Sequence, residues 1–159
     1  MSATNLSPDT TRILRHLVAT IAFRASRALR DIPEDFESVR LAEGGMTARE
    51  LLLHLSNVMS FALATVSGTE RIRHDAVKWP QEVERFYSLL AQIDARLAEG
   101  ASVLAGMDLK LVQGPLADAL THVGQLHAMR RMAGSPVPPT NYIQAEVQAG
   151  RIALRDQPE

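Results

Sequence analysis

The stretch Thr47-Ala-Arg-Glu-Leu-Leu-Leu-His-Leu-Ser-Asn-Val-Met-Ser-Phe-Ala-Leu-Ala-Thr-Val-Ser-Gly68 decides the fold. It opens on a capping box: the Thr47 hydroxyl can accept from a first-turn amide while the Glu50 carboxylate reaches back to the cap. Leu51, Leu55, Val58 and Ala62 then recur at helical spacing on one stripe, and the pattern fades near Ser67-Gly68. This predicts one complete amphipathic helix with its own start and stop.

Outward from it the same period recurs. Ser7-Pro8 starts a helix that carries Leu14, Leu17, Ile21, Ala25 and Ala28 on one face, with Arg12, Arg15, Arg27 and Arg30 over much of the rest. It should end before Pro33, because the residue preceding a proline avoids the helical region. Residues 33–46 read as a loop broken at Gly44-Gly45, and residues 68–79 as a polar connection. Pro80 opens a third helix with Val83, Phe86, Tyr87, Leu90, Ile93 and Leu97 at its apolar positions and Gly100 as its stop. Residues 101–113 read as a loop with a short helical turn. Gly114-Pro115 starts a fourth helix that runs to about Met132, ended by Gly134-Ser-Pro136, and residues 141–149 read as a short terminal helix stopped at Gly150. No internal repeat and no alternating strand pattern occurs. The prediction is an all-α four-helix bundle with a short C-terminal helix or extension, and the long connections permit crossovers.

The chain has 159 residues, so one domain over 1–159 is expected, with a core large enough to need no staple. It has no cysteine, which excludes disulfides, thiolate metal sites, iron–sulfur clusters and a cysteine nucleophile. Any metal must be held by histidine, carboxylate, backbone or water. Lys+Arg is 17 against Asp+Glu 18, and aromatics are 4%, so neither a phosphate-collecting field nor stacking platforms argue for nucleic acid. Met1 to Pro8 has no signal-peptide apolar core, and no apolar run approaches about 18 residues, so neither a leader nor a membrane span is expected and the location expected is cytoplasmic.

Chemistry-bearing candidates sit on the second and fourth helices. His54 lies between Leu51 and Val58 on the apolar stripe, which predicts a place in the bundle interior. The ordinary reading is a buried neutral histidine with one hydrogen-bond partner. Asp118 and His122 are four residues apart, about 40° around a helix axis, so their side chains can converge on one ion. Alone that pair reads as a solvated helical pair. Flanked by Leu116, Ala119, Val123 and Leu126 it faces the bundle, where a carboxylate and an imidazole need partners, and a divalent cation shared with His54 would satisfy all three. Arg24, in line with Leu17, Ile21 and Ala28, reads as snorkelling or paired with an acid before it reads as a fork for an anionic substrate. His16 and His74 are weaker candidates, and His127 lies about 140° around the helix from His122, too far to share its ion. Phosphate-binding glycine loops, a Gly-x-Ser-x-Gly elbow, His-Glu-x-x-His and Glu-x-x-His are all missing.

On these residues the chain resembles the DinB-like superfamily, which includes the damage-inducible DinB proteins and YfiT-type metal-dependent hydrolases. Thr47-Ala-Arg-Glu-Leu-Leu-Leu-His54-Leu is similar to the family's second-helix segment. Gly114-Pro-Leu-Ala-Asp118-Ala-Leu-Thr-His122-Val-Gly-Gln-Leu126, continued by Arg130-Arg-Met-Ala-Gly-Ser-Pro136, is similar to its fourth. The resemblance implies up-down-down-up connectivity, a homodimer, and a divalent metal at the open end of the bundle, with nickel, zinc, iron and manganese all open. The family's three ligands are histidines. Here His54 and His122 match, and Asp118 stands where the family has the first histidine of a His-x-x-x-His pair. The resemblance further implies a metal-dependent transferase using a low-molecular-weight thiol, or a hydrolase, acting on a small molecule. Arg24, Asn141 and Tyr142 are placed at the substrate pocket, and no catalytic residue is assigned. The alternative is a non-catalytic helical interaction module, its three polar residues joined in a metal-free network.

Overall fold

The capping box closes as its spacing requires. In the computed structural model, which describes residues 3–158, the Glu50 amide donates to Thr47 Oγ1 at 3.2 Å and the Thr47 amide donates to the Glu50 carboxylate at 2.7 Å. Residues 1, 2 and 159 of the expected 1–159 domain lie outside that range. Helix α2 follows over Ala48–Ser67, and Gly68 ends it in the left-handed conformation at φ 65°, where a Cβ would be strained. Helix α1 spans Pro8–Leu29, its first turn capped by Ser7, whose hydroxyl accepts from the Thr10 amide. Helix α3 spans Trp79–Ala98.

Hydrogen bonds between helices fix their directions. Arg15 meets Asp94 and the Tyr87 hydroxyl donates to the Ala22 carbonyl, so α1 and α3 are antiparallel. Ser56 meets Glu82 and Ser67 meets Arg96, so α2 and α3 are parallel. The last long helix, α5 (Ala117–Met132), runs parallel to α1: His127 bonds the Arg24 carbonyl and Arg130 the Ala28 carbonyl. The bundle is therefore up-down-down-up, with α1 and α2 packing against α3 and α5 but standing diagonal to each other.

Parallel α2 and α3 force the chain to travel back along the bundle between them. Residues 68–78 do this as an extended strap tied to α2 by side chains. Ser60 Oγ donates to the Ile72 carbonyl, Asn57 brackets the His74 peptide group, and Arg49 donates to the Val77 carbonyl. The sequence-level polar connection is thus ordered by side chain–backbone bonds and not by a ladder of its own.

One apolar cluster joins the four long helices. Ile21, Leu51, Leu55, Leu90, Val123 and Leu126 are all essentially inaccessible to solvent. Truncating one such leucine to alanine costs roughly 2–5 kcal/mol, since the cavity left behind collapses only in part. The apolar stripe of α2 faces this core, and half of its most apolar window is buried there. α2 is long and apolar enough to cross a membrane by length and composition alone; the core contact accounts for that hydropathy.

Three segments depart from the sequence reading. The fourth helix does not start at Gly114. A short helix α4 (Met107–Leu111) leads through a π turn (Val112–Leu116) directly into α5. Pro115 has no N–H to offer, so the ladder widens and the Ala117 amide reaches back to the Val112 carbonyl. Residues 141–149 form turns, not a helix, and among the described residues the only helical turn in the tail is Leu154–Asp156. The tail is held as an extension by arginines: Arg30 donates to the Leu154 and Gln157 carbonyls, and Arg130 to Ser135. A two-stranded ribbon, β1 (Ala3–Asn5) antiparallel to β2 (Ser102–Leu104), was not signalled by any alternation, because three residues are too few to show one.

Candidate metal centre

The three residues singled out on separate helices come together. On α2, Leu51, Leu55 and Met59 form the buried row, while His54, Val58 and Phe61 form the adjoining row, turned toward α5. On α5, Asp118 and His122 stand one turn apart with Ala119 and Val123 buried beside them. His54 Nε2 lies 3.3 Å from Asp118 Oδ2, and His122 Nε2 lies 3.3 Å from Asp118 Oδ1. The imidazole rings meet edge to face with centroids 4.6 Å apart. One donor atom from each residue falls within 4.8 Å of the others, so the cluster could hold a metal ion.

Both contacts are within salt-bridge reach, and their lengths also suit a ligand set. Charge-assisted N–H···O bonds close to about 2.7–2.9 Å, and neither imidazole does so. Two donors at 2.0–2.2 Å from one tetrahedral ion sit about 3.3–3.6 Å apart, which is the separation found for both imidazole–carboxylate pairs. The second ring nitrogen of His122 also fits. Its Nδ1 lies 2.7 Å from Gln125 Oε1, an oxygen that can only accept, so Nδ1 carries the proton and Nε2 keeps its lone pair for a cation. The donor set and its support thus fit a divalent ion, and the carboxylate in place of a third imidazole favours harder ions than three histidines would.

The expected burial is corrected. The His54 and Asp118 side chains are 41% and 42% exposed, and only His122, at 13%, is enclosed. His54 belongs to the flank of its stripe and not to the bundle interior, because 54, 58 and 61 run one step around the helix from the core row. The cost of an unpaired buried carboxylate therefore does not drive the cluster together; the helix positions do. His54 and Asp118 open onto a solvent-facing cavity of about 660 Å³, between α2, the π turn, the start of α5 and the strap, with His122 enclosed behind them. Val58, Phe61 and Pro115 give it an apolar wall, and Arg71 stands in it from the strap.

Arg24, Asn141 and Tyr142 are brought together, but not here. The Arg24 guanidinium stacks 3.7 Å over the Tyr142 ring, and that ring meets Phe23 edge-on. Asn141 accepts from the Ile143 amide in a tail turn. None of the three lines the cavity beside His54. His127 points away as its helical angle requires, donating to the Arg24 carbonyl at 2.9 Å. Burial, with the charges of Arg24, Arg27 and Arg131, holds it below the usual histidine range. His16 is exposed, and the His74 backbone is clasped by Asn57. Sequence reasoning missed Gln125 and Arg71. Gln125 was legible as a polar residue one turn beyond His122; Arg71 lies in an aperiodic segment that carries no such signal.

Fold and site together define a helical bundle with a two-histidine, one-carboxylate cluster at the mouth of an open cavity. Comparison with protein-family models, with curated proteins and with solved structures finds no match to this chain.

Proposed function

We propose that the chain is a divalent-metal-binding protein of the DinB-like kind. In this reading it carries out metal-dependent thiol-cofactor transfer or hydrolysis on a small molecule in the cavity beside the triad. The observation that carries the reading is the convergence of His54, Asp118 and His122 with ligand-like spacing, two of them, His54 and Asp118, facing a solvent-open cavity. His54 and His122 would supply imidazole nitrogens, and Asp118 a carboxylate that offsets part of the charge. A divalent cation, when bound, supplies positive charge that lowers the pKa of a coordinated water or thiol. Gln125 holds the His122 ring in the tautomer that keeps Nε2 free, and Val58, Phe61 and Pro115 shed water from one wall. With no cysteine in the chain, a reacting thiol has to enter as a cofactor.

Elemental analysis of protein purified without affinity metal or chelator tests this. The expected result is about one divalent ion per chain, falling sharply in His54→Ala and His122→Ala. Substoichiometric metal even after repletion would instead favour a metal-free network in an interaction module. A panel of low-molecular-weight thiols against electrophilic acceptors, run beside hydrolysable esters and amides, separates transferase from hydrolase.

A further inference from the structure

Among the described residues, Arg71 is the only cationic side chain lining the cavity that holds His54 and Asp118. It reaches there because the strap is fixed along α2 on the C-terminal side of it, at Ile72 by Ser60 and at His74 by Asn57. Among the described residues no carboxylate forms an ion pair with it, whereas Arg15, Arg49, Arg85 and Arg96 each have one. Its one hydrogen bond, from Nη2 to the Asn57 carbonyl, is 3.3 Å long and leaves most of the donor fork free. The guanidinium carbon lies 5.9 Å from the Phe61 ring, at the outer edge of cation–π range, so the aromatic ring limits the side chain without occupying its fork. Val58, Phe61, Pro115 and Ala117 give the cavity an apolar side, while Gln113, Thr121, His54 and Asp118 supply its polar side.

From this juxtaposition we infer that the cavity takes a small monocarboxylate with an apolar body, its carboxylate held by the Arg71 fork and its other end against Phe61 and Pro115, beside the triad. The inference rests on reading this cavity as the place where substrate meets the metal cluster. A planar guanidinium matches a carboxylate in bidentate fashion. A single cation in a cavity that also holds the Asp118 carboxylate favours one negative charge over a multiply charged phosphate ester, whose further charge would face Asp118 unshielded. Arg24, the arginine expected to play this part, is occupied by Tyr142.

The test uses full-length protein kept metal-free with chelator, so that it reads Arg71 and not the metal. ¹⁵N-labelled protein is titrated with phenylacetate and with its neutral counterpart phenylacetamide, following the Arg71 Nε–Hε signal and the backbone amides of Gln113, Gly114, Leu116, Ala117 and Asp118. The acid is expected to bind about tenfold more tightly than the amide, the scale of one charge-assisted bond. Arg71→Met should abolish that preference, and Arg71→Lys should keep part of it, having the charge without the fork. His54→Ala should retain it, which separates this result from any failure of metal binding. Equal binding of acid and amide, acid binding unchanged in Arg71→Met, or no saturable binding of the acid would each overturn the inference.

Discussion

At the scale of single residues, the site depends on which nitrogen of His122 holds a proton. Gln125 settles this by accepting from Nδ1 at 2.7 Å. Partners that orient a ligating imidazole in this way typically contribute 10–100-fold in metal affinity. Gln125→Leu should therefore weaken metal binding by about that factor while leaving the thermal unfolding midpoint nearly unchanged, since Gln125 is only partly buried. His127 gives a prediction of opposite character, on stability. Its folded pKa is depressed below 6.5, chiefly by burial. The unfolded chain then binds the proton more readily, so the stabilising contribution is complete above about pH 6.5 and is lost as pH falls below it. Urea midpoints of wild type should decline through that window, and His127→Gln, which can still donate to the Arg24 carbonyl, should flatten the decline.

At the scale of elements, legibility followed local self-sufficiency. α2 could be read almost to the residue because cap, stripe and stop all lie inside it: Thr47, Glu50, Leu51, Leu55 and Gly68. The fourth helix was misplaced at its start because Gly114-Pro115 looks like an opening, whereas neighbouring turns carry the helix past Pro115 by widening the ladder. The segment at 141–149 had helical composition but forms turns, and the tail beyond it is tied down by Arg30, more than 120 residues earlier in the chain, at the Leu154 and Gln157 carbonyls. The strap at 68–78 shows the same dependence on distant partners. Asn57 both donates to the His74 carbonyl and accepts from its amide. Losing two such bonds costs about 1–2 kcal/mol locally. Asn57→Ala should speed hydrogen exchange at the His74 amide by roughly 5–30-fold with little change in global stability.

At the scale of the whole molecule, periodicity gave four helices but not their directions. Those follow from long-range pairs such as Arg15–Asp94 and Tyr87–Ala22, which no local pattern announces. The metal candidates were legible because helical spacing alone joins Asp118 to His122, and the step to His54 required only that α2 and α5 be neighbours. Their burial was not legible, since a histidine at the edge of an apolar stripe reads the same as one at its centre. The bundle's architecture sets the donors at the edge of a groove, where an ion can enter and a small molecule can follow. The reading stands or falls on these three side chains forming one metal site. Calorimetric titration of metal-free protein with zinc tests it most directly, with wild type beside His54→Ala and His122→Ala. The expected result is one zinc per chain, weakened by more than about a hundredfold in each variant, beyond what loss of a supporting partner would cause. Wild-type stoichiometry and affinity retained in both variants would contradict it.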